Sequence, residues 1–416
     1  MALLATAILS LCLPFVTSAH SASTAQDQAL VVLVGVSAAI YLATATLDGI
    51  AAGRQRFEVQ AAGAVVGSIA NLTVVILTLG PIGIVALGWG QLAFVLGNRV
   101  VSVTWVSLRE RWFNIVPQRV TRSELRAVVG FAIPILVMTV GLQVIGATDL
   151  LVVGVVSSTA AVALYRVGTL APNGAVALIF TGYDTVFPGL SATPDAETQD
   201  DITRFLTRAV CFMGGAIFGA LILLRNDVVL LLSGSNSHLA ASITIVFSAV
   251  WLVNLPVHGM SLLLIARGRQ RLLVPLIVSE VVVNVGLTIA FVFAFGPIGA
   301  AIATLVEFSI ADLLVFPWLV RHEFGYSPMR VIWLEGVPAI ALGLAAAAVS
   351  VGPFVELSPS IERLLLGSGT TLIISVTAGL LLLGQGGRHR VVALLRRRAT
   401  GASLPMPIDP FVAGME

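Results

Sequence analysis

The sequence predicts an all-α protein that crosses a membrane many times, and three observations support this prediction. Hydrophobic residues make up 57% of the 416 residues and charged residues only 11%, whereas soluble domains contain about 25% charged residues. The mean hydropathy is +1.01. Apolar runs of about 20 residues, the length that spans a bilayer as a helix, recur along the whole chain.

Twelve such runs are bounded by charges or by clusters of Gly, Pro and Ser, and each is predicted to be one span. Their limits are 2–18, 29–52, 57–79, 84–107, 127–155, 158–188, 206–232, 239–266, 272–295, 297–320, 331–352 and 362–384. Small residues follow the first run, as in a signal peptide. Because no basic residue precedes it, a membrane span is the preferred interpretation.

The 23 basic residues are all Arg, and they are distributed unevenly over the connections. Nineteen lie on one set of alternate connections and the tail, whereas only Arg225 and Arg363 lie on the other set. Because basic loops stay in the cytoplasm, both termini are predicted to be cytoplasmic. The net charge of +2 is too small to indicate a nucleic-acid partner.

The sequence contains no catalytic triad, nucleotide-binding loop or paired metal ligands, so it predicts neither an enzyme nor a bound metal or cofactor. Cys12 and Cys211 lie in apolar runs without metal-ligand spacing. They are expected to be small buried hydrophobes.

Two tetrapeptide motifs, GRQR and GPIG, each occur twice and in the same order. In the first copy 23 residues separate Arg56 from Gly80, and in the second 24 separate Arg271 from Gly296. Either length makes one membrane crossing. Six spans separate the copies, so both cross in the same direction, and the repeat predicts two parallel bundles of six helices. The two GPIG words are expected to be equivalent outer turns.

The bundles are predicted to be unequal, because two spans precede the basic turn in the first and four precede it in the second. The chain is therefore expected to correspond to helices 3–14 of a fourteen-helix protein. The predicted parts are a first bundle of four spans, a cytoplasmic linker, a second bundle of six spans, two extra spans and a basic tail, at 1–108, 109–126, 127–320, 321–384 and 385–416. Thr121 and Glu124, in the linker, have capping-box spacing.

Over roughly residues 40–320 the sequence resembles the polysaccharide and lipid-linked oligosaccharide flippases of the MATE-like exporter superfamily. The resemblance lies in FAIPILVMTVGLQVIGATDLLVVGVVSSTAAVALYRVGTL, in DTVFPGLSAT, and in ARGRQR followed by VNVGLTIAFVFAFGPIGAAIAT. It implies a V-shaped pair of bundles that alternate between inward-open and outward-open states. Some members carry ion-coupling carboxylates in their first helix, and this chain is expected to lack that helix.

Two arginines fall inside predicted spans, where a charge is costly and indicates a functional site. A lipid-linked saccharide needs a cation for its phosphate or diphosphate, and guanidinium offers bidentate contact. Arg99 and Arg166 are therefore predicted to bind substrate, and Asp149 is predicted to belong to the same substrate site. Pairing with a nearby carboxylate is the alternative for each, and Asp149 is the predicted partner of Arg166. Snorkelling to the cytoplasmic face is a further alternative for Arg99.

Three carboxylic acids in two consecutive spans, Glu280, Glu307 and Asp312, predict an ion-coupling site for a proton or sodium. The alternative is a set of carboxyls kept neutral by burial. Asp48 and Glu58 are expected to face water or the arginines of the adjoining turn.

The word APNG, with Pro172 and Asn173, lies near the middle of the run 158–188. Proline removes a backbone donor, so the helix is expected to kink or break there and to expose carbonyls to a cavity that binds substrate. An ordinary proline kink without a ligand is the alternative.

The predicted function is a flippase for a polyprenyl-linked saccharide in the cytoplasmic membrane of a bacterium. Its expected partners are this substrate, anionic membrane lipids and the polysaccharide polymerase machinery. A cation-coupled exporter of amphiphilic drugs and a non-transporting membrane scaffold are the alternatives.

Overall fold

A computed structural model describes residues 24–54, 56–109, 121–191, 193–354 and 359–382. Within them every regular element is a helix. Ten helical segments are long and apolar enough to cross a membrane: Gln26–Ala43, Phe57–Ile82, Val85–Arg109, Arg122–Val156, Thr159–Ser191, Ala196–Leu223, His238–Ala266, Gln270–Phe295, Ile298–Leu319 and Pro328–Phe354. They correspond to the second to eleventh predicted runs, so this is a multi-pass α-helical membrane protein. The first run and the basic tail lie outside the described residues.

The chain divides into two compact units, with the boundary between Val120 and Thr121. Unit 1 contains helices α1 to α4, at Thr24–Ala43, Ala45–Gly53, Phe57–Ile82 and Val85–Arg109. Unit 2 contains α5 to α15, at Arg122–Val156, Thr159–Ser191, Ala196–Leu223, Arg225–Ser233, His238–Ala266, Leu273–Phe295, Ile298–Ile310, Phe316–Leu319, Pro328–Val331, Val337–Val351 and Ile361–Leu382.

In unit 1 the predicted run 29–52 is two helices, because α1 ends and α2 begins around Thr44. The Thr44 hydroxyl donates to the Ile40 carbonyl at 2.6 Å, a bond that tends to bend helices. Helices α3 and α4 form a closely packed hairpin. A Cβ at Gly67 would lie 2.6 Å from the Phe94 carbonyl oxygen, so only glycine allows this approach of the two backbones.

In unit 2 the predicted capping box is confirmed at the start of α5. The Glu124 amide donates to Thr121 Oγ1 at 3.3 Å, and the Thr121 amide donates to Glu124 Oε2 at 2.7 Å. The predicted run 206–232 was placed too late, because α7 begins at Ala196. Asp195 caps this helix by accepting from the Thr198 amide at 2.8 Å. Hydrogen bonds from the Thr198 hydroxyl and amide lower the pKa of Asp195.

Both GPIG motifs join consecutive membrane-spanning helices, as predicted, but the two turns differ in local structure. In the first copy α3 continues through Pro81, and the last glycine of the word, Gly83, makes the turn with φ of 59°. In the second copy α10 ends at Phe295 and the first glycine, Gly296, makes the turn with φ of 69°. Both glycines adopt backbone conformations that other residues rarely adopt.

Two π-helical segments interrupt unit 2, at Ala311–Val315 and Ile332–Gly336. Pro317 and Pro338 follow them closely, and proline lacks the amide that the preceding turn of an α-helix requires. The segments place Asp312 and Glu335 on locally widened turns.

The spans predicted as extra pack directly into unit 2. Helix α14 lies against α7, with glycines at the contact on both sides. A Cβ at Gly343 would lie 2.2 Å from the Phe212 carbonyl oxygen, and one at Gly215 would lie 2.4 Å from the Ile340 carbonyl oxygen. This close approach of small residues is a common way for membrane helices to associate.

One end of unit 2, here called the arginine-rich end, carries Arg204, Arg208, Arg267, Arg269, Arg271 and Arg330. Arg267 connects three chain segments there. Its guanidinium donates to Asp200 Oδ1 at 2.7 Å, to Gln199 Oε1 at 2.9 Å and to the Glu323 carbonyl at 2.8 Å. Burial, with the nearby Asp200 carboxylate, raises the pKa of Tyr326 in the same network.

Arg225 and Arg363, the two arginines on the less basic set of connections, both have local partners. Arg363 forms a buried ion pair with Asp227, in which its Nε lies 2.9 Å and 3.0 Å from the two carboxylate oxygens. Arg225 donates to the Ile222 carbonyl at 2.9 Å. Because Asp227 neutralises Arg363, this arginine adds no net charge to its end of the unit.

Candidate ion and substrate sites

A buried polar cluster in unit 2 centres on Asp149, which is 2% exposed. Its carboxylate accepts hydrogen bonds from three hydroxyls on three other helices: Tyr165 at 2.8 Å, Thr288 at 2.9 Å and Thr304 at 3.0 Å. The cluster therefore links α5, α6, α10 and α11 through one carboxylate. Three neutral donors can hold a carboxylate charge without a cation nearby.

The same cluster contains the predicted acids Glu280 and Glu307. Glu280, Asn284 and Thr288 follow one another at four-residue spacing on one face of α10, and all three are buried. Asn284 donates to Thr304 at 3.3 Å. The Asn284 side chain also lies close to the carboxyl of Glu307, which is 2% exposed. Among the described residues, however, neither Asn284 Oδ1 nor either Glu307 oxygen forms a hydrogen bond of normal geometry. Such orphaned buried groups are costly, so they indicate a site for a water, a proton or a cation.

Asp312, on the first π-helical segment, accepts from Asn254 Nδ2 at 2.9 Å. Glu280, Asp312 and Asp149 all interact electrostatically with Glu307. None of these four carboxyls forms an ion pair within the described parts of the chain. The described residues also contain no group of three or more His, Cys, Asp or Glu side chains close enough together to hold a metal ion. Four acids thus lie in one buried region, and no arginine among the described residues neutralises them.

Further unpartnered polar atoms lie between the acids and the arginine-rich end. Among the described residues these are His258 Nε2 and Thr203 Oγ1. The Tyr183 and Thr207 hydroxyls lie close to each other beside Gly259. His258 follows Asn254 by one turn of α9, stacks on Phe180 at 3.5 Å between ring centroids, and lies 5.3 Å from the Tyr183 ring. Tyr183 and Thr203 line a cavity of about 10 Å³, which is the size that holds one water.

Arg166 does not pair with Asp149, so that predicted ion pair is wrong. Asp149 is fully engaged by hydroxyls, whereas Arg166 is exposed. Within the described residues its guanidinium forms no ion pair or hydrogen bond. It lies seven residues after the start of α6, about 10 Å along the helix. An exposed charge at that depth is expected to face water rather than hydrocarbon.

The expected break at APNG is not observed, because α6 runs without interruption from Thr159 to Ser191. Pro172 is buried. Asn173 Oδ1 accepts from Trp251 Nε1 at 2.9 Å, which joins α6 to α9. These two residues therefore support helix packing in this conformation, and their predicted role in binding substrate has no geometric support here.

In unit 1, Arg99 is buried and pairs with Asp48. The Arg99 Nη2 to Asp48 Oδ2 distance is 2.8 Å, and the guanidinium lies 4.5 Å from the centre of the Tyr41 ring. Asp48 was expected to face water or the adjoining turn, and it was misplaced because its partner lies 51 residues away. Glu58 does pair with Arg56, at 3.2 Å. Arg99 thus fits the alternative in which a buried arginine joins helices, although its Nε has no partner.

A double substitution separates the structural role of Arg99 from a role in substrate binding. Arg99→Gln alone leaves the Asp48 carboxylate unpaired and is expected to lower thermal stability. Adding Asp48→Asn removes that charge and should recover most of the stability. If transport also returns, Arg99 acts only by pairing with Asp48. If stability returns and transport does not, Arg99 contacts substrate.

Several residues of the cluster were missed from the sequence, namely Tyr165, Asn254, His258, Asn284, Thr288 and Thr304. Part of the signal was present, because Glu280, Asn284 and Thr288 form a polar stripe on an otherwise apolar helix, and Asn254 and His258 form another. Single hydroxyls such as Thr304 gave no signal, since Thr often bonds to its own helix in membranes.

Fold and site together define a polytopic helical membrane protein with an exposed cation within a span and a buried acidic cluster that forms no ion pair with the described residues. The profile of the family described as polysaccharide biosynthesis protein matches residues 1–242. This chain belongs to that family.

Two similar proteins are flippases by name. The chain is 27% identical over 205 residues to the probable flippase AglR of Haloferax volcanii, a match that covers 47% of this chain and 42% of AglR. It therefore spans less than half the length of that relative. The lipid II flippase MurJ, in an inward closed conformation, shares the fold with a TM-score of 0.59 at 14% identity. That match covers 92% of this chain and 82% of MurJ.

Proposed function

We propose that the protein is a flippase that moves a polyprenyl-linked saccharide across the membrane by alternating access, without chemical conversion of the substrate. Membership of the polysaccharide biosynthesis family and the MurJ-like fold support a transport role of this type. The observation that carries the proposal is Arg166. Its exposed guanidinium lies within a span and forms no ion pair with the described residues, so it is suited to a substrate phosphate or diphosphate.

The proposed driving force is a cation gradient that acts on Glu280, Glu307 and Asp312, with Asp149 as a fourth acid of the same cluster. The Glu307 carboxyl and Asn284 Oδ1 support this assignment, because they are buried without a hydrogen bond of normal geometry to any described residue. A proton or a sodium ion would remove the repulsion between the acids and allow the helices to pack around a neutral site.

The proposed location is the cytoplasmic membrane of a bacterium, with both termini on the cytoplasmic side. The distribution of arginines supports this orientation, and the pairing of Arg363 with Asp227 accounts for one of the two exceptions. Anionic membrane lipids and the polymerase machinery that would extend a delivered saccharide are the proposed partners.

Depletion of the protein in cells that require it for surface polysaccharide tests the proposed function. Lipid-linked precursor is expected to accumulate on the cytoplasmic side of the membrane, while the glycosyltransferases that make it stay active. A non-transporting scaffold would instead lower precursor synthesis. Loss of drug resistance with normal polysaccharide would favour the amphiphile exporter.

Glu307→Gln is expected to abolish the dependence of transport on a cation gradient. The amide keeps the shape of the side chain but can neither release a proton nor hold sodium as a carboxylate. Flipping by the purified protein in vesicles should then be the same with and without an imposed pH or sodium gradient. Whichever gradient accelerates the wild type identifies the ion.

The matched control is Glu362→Gln, which makes the same change at an exposed residue of α15 and should preserve the full response. A Glu307→Gln protein that still responds to the gradient would exclude Glu307 from coupling.

A further inference from the structure

An open groove of about 420 Å³ lies between α5 and α10 at the arginine-rich end of unit 2. It is lined by Val129, Gly130, Ile133, Pro134, Val137, Arg271, Val274 and Pro275. Seven of the eight lining residues are apolar, and the eighth is a cation. From Val129 to Val137 the groove follows eight residues of α5, about 12 Å at 1.5 Å per residue. One bilayer leaflet offers about 15 Å of hydrocarbon, so the groove covers most of that depth.

The groove forms because α5 and α10 touch at one point and separate toward the arginine-rich end. Farther along, α5 and α10 touch, since a Cβ at Gly141 would lie 2.3 Å from Ile277 Cγ2. On the arginine-rich side of this contact the helices leave a gap, where Pro134 and Pro275 face the groove from either side. Gly130 has no side chain to fill the gap. The groove is thus closed by the Gly141 contact and open toward the arginine-rich end.

The three arginines of the turn before α10 have different surroundings. Arg267 is bonded to Asp200, and Arg269 lies 3.7 Å from the Glu323 carboxylate. Arg271, by contrast, has no ion pair or hydrogen bond within the described residues, and its Nη2 lies 3.5 Å from the position of a Cβ on Gly130. Its guanidinium is therefore held at the groove and remains available to an anion.

A second cation lies at the same end of the groove. Arg126 precedes Gly130 by four residues on α5, so the two share one face of that helix. Arg126 is exposed and likewise forms no ion pair among the described residues. No carboxylate lines the groove. The charges at its open end are therefore positive, and its depth is apolar.

We propose that this groove binds one anionic phospholipid from the leaflet at the arginine-rich end, with an acyl chain along the groove and the phosphate at Arg271 and Arg126. Charge complementarity selects the headgroup, and the apolar lining accepts the chain. Neither Arg166 nor any acid of the buried cluster lines the groove. A lipid in this place would fill the gap between α5 and α10 and stabilise their packing.

Titration of the purified full-length protein with dioleoylphosphatidylglycerol or dioleoylphosphatidylcholine, followed by native mass spectrometry, tests the proposal. One tightly bound phosphatidylglycerol is expected, with phosphatidylcholine binding more weakly. Arg271→Gln should weaken phosphatidylglycerol binding by roughly fivefold, the effect of one basic residue near anionic lipid. Arg126→Gln should have a similar effect and replaces it as the test if Arg271→Gln does not fold.

Two matched controls make the test specific. Arg269→Gln removes the same charge from the same turn but away from the groove, and it should leave the first phosphatidylglycerol bound. Val274→Phe fills the groove and should weaken both lipids, whereas Val278→Phe, at an exposed position one turn later that is not part of the lining, should weaken neither.

Equal loss in Arg269→Gln and Arg271→Gln would overturn the proposal, because it would show only diffuse attraction to the arginine-rich end. Unchanged binding in Val274→Phe would exclude the groove. Tighter, Arg271-dependent binding of undecaprenyl phosphate would assign the groove to the transported substrate instead. These readouts measure lipid binding and not flipping, so they are independent of the outcome for the proposed function.

Discussion

Arg363→Ala is expected to lower the free energy of unfolding by about 3–5 kcal/mol, because it leaves a buried carboxylate without its cation. The Asp227 side chain is fully buried and that of Arg363 is 5% exposed. The pair joins α8 to α15, and Asp227 also accepts from the Ser360 amide at 2.8 Å. Because the Asp227 side chain is fully buried, most of its desolvation penalty should remain once the guanidinium is removed.

Unfolding of the purified protein in mixed micelles measures this effect. Arg225→Ala is the control, since it removes the other arginine of this end, and it is expected to cost about 1 kcal/mol for one hydrogen bond to a carbonyl. Arg363→Leu combined with Asp227→Leu should recover much of the loss, because a well-packed apolar pair can replace a buried ion pair. Equal stabilities of Arg363→Ala and wild type would contradict the buried pairing.

Arg166→Ala is expected to reduce transport of the lipid-linked saccharide by about 10- to 100-fold, at unchanged protein abundance. The estimate corresponds to the 1.5–3 kcal/mol of a hydrogen bond to a charged group. Since Arg166 has no protein partner within the described residues, its removal should leave thermal stability close to that of the wild type. Arg166→Lys should be intermediate, because lysine keeps the charge but loses the planar fork.

Arg330→Gln is a control for Arg166, since it removes an exposed arginine from the arginine-rich end rather than from within a span. It is expected to transport normally. The initial rate of flipping in reconstituted vesicles separates the variants. Normal flipping by Arg166→Ala would remove this residue from the substrate path.

The helices and their boundaries were largely predictable from the sequence, because apolar length and arginine placement act locally. For Asp149, the sequence indicated burial but not the hydrogen-bond partners. Its burial could be inferred from its place in an apolar run, but its partners Thr288 and Thr304 lie 139 and 155 residues away. Nearness in sequence favoured Arg166 as its partner. The helical rotation that exposes Arg166 and buries Tyr165 depends on packing, which the pattern does not encode.

The π-helical segments show a second limit. Pro317 and Pro338 were visible in the sequence, yet a proline can produce a kink, a break or a widened turn. In α6 the helix runs unbroken through Pro172, whereas π-helical segments precede Pro317 and Pro338. Only the surrounding contacts decide among these outcomes. The position of Asp312 therefore required the structure.

The central claim, that the chain flips a lipid-linked saccharide, is tested most directly by the sidedness of that lipid. The purified protein would be reconstituted into vesicles with a fluorescent polyprenyl diphosphate saccharide, and the fraction accessible to an external quencher followed with time. Wild-type protein is expected to move the label between leaflets until both are equally populated, and Arg166→Ala to do so at least tenfold more slowly. A label that stays in its original leaflet, at the rate of protein-free vesicles, would contradict the account.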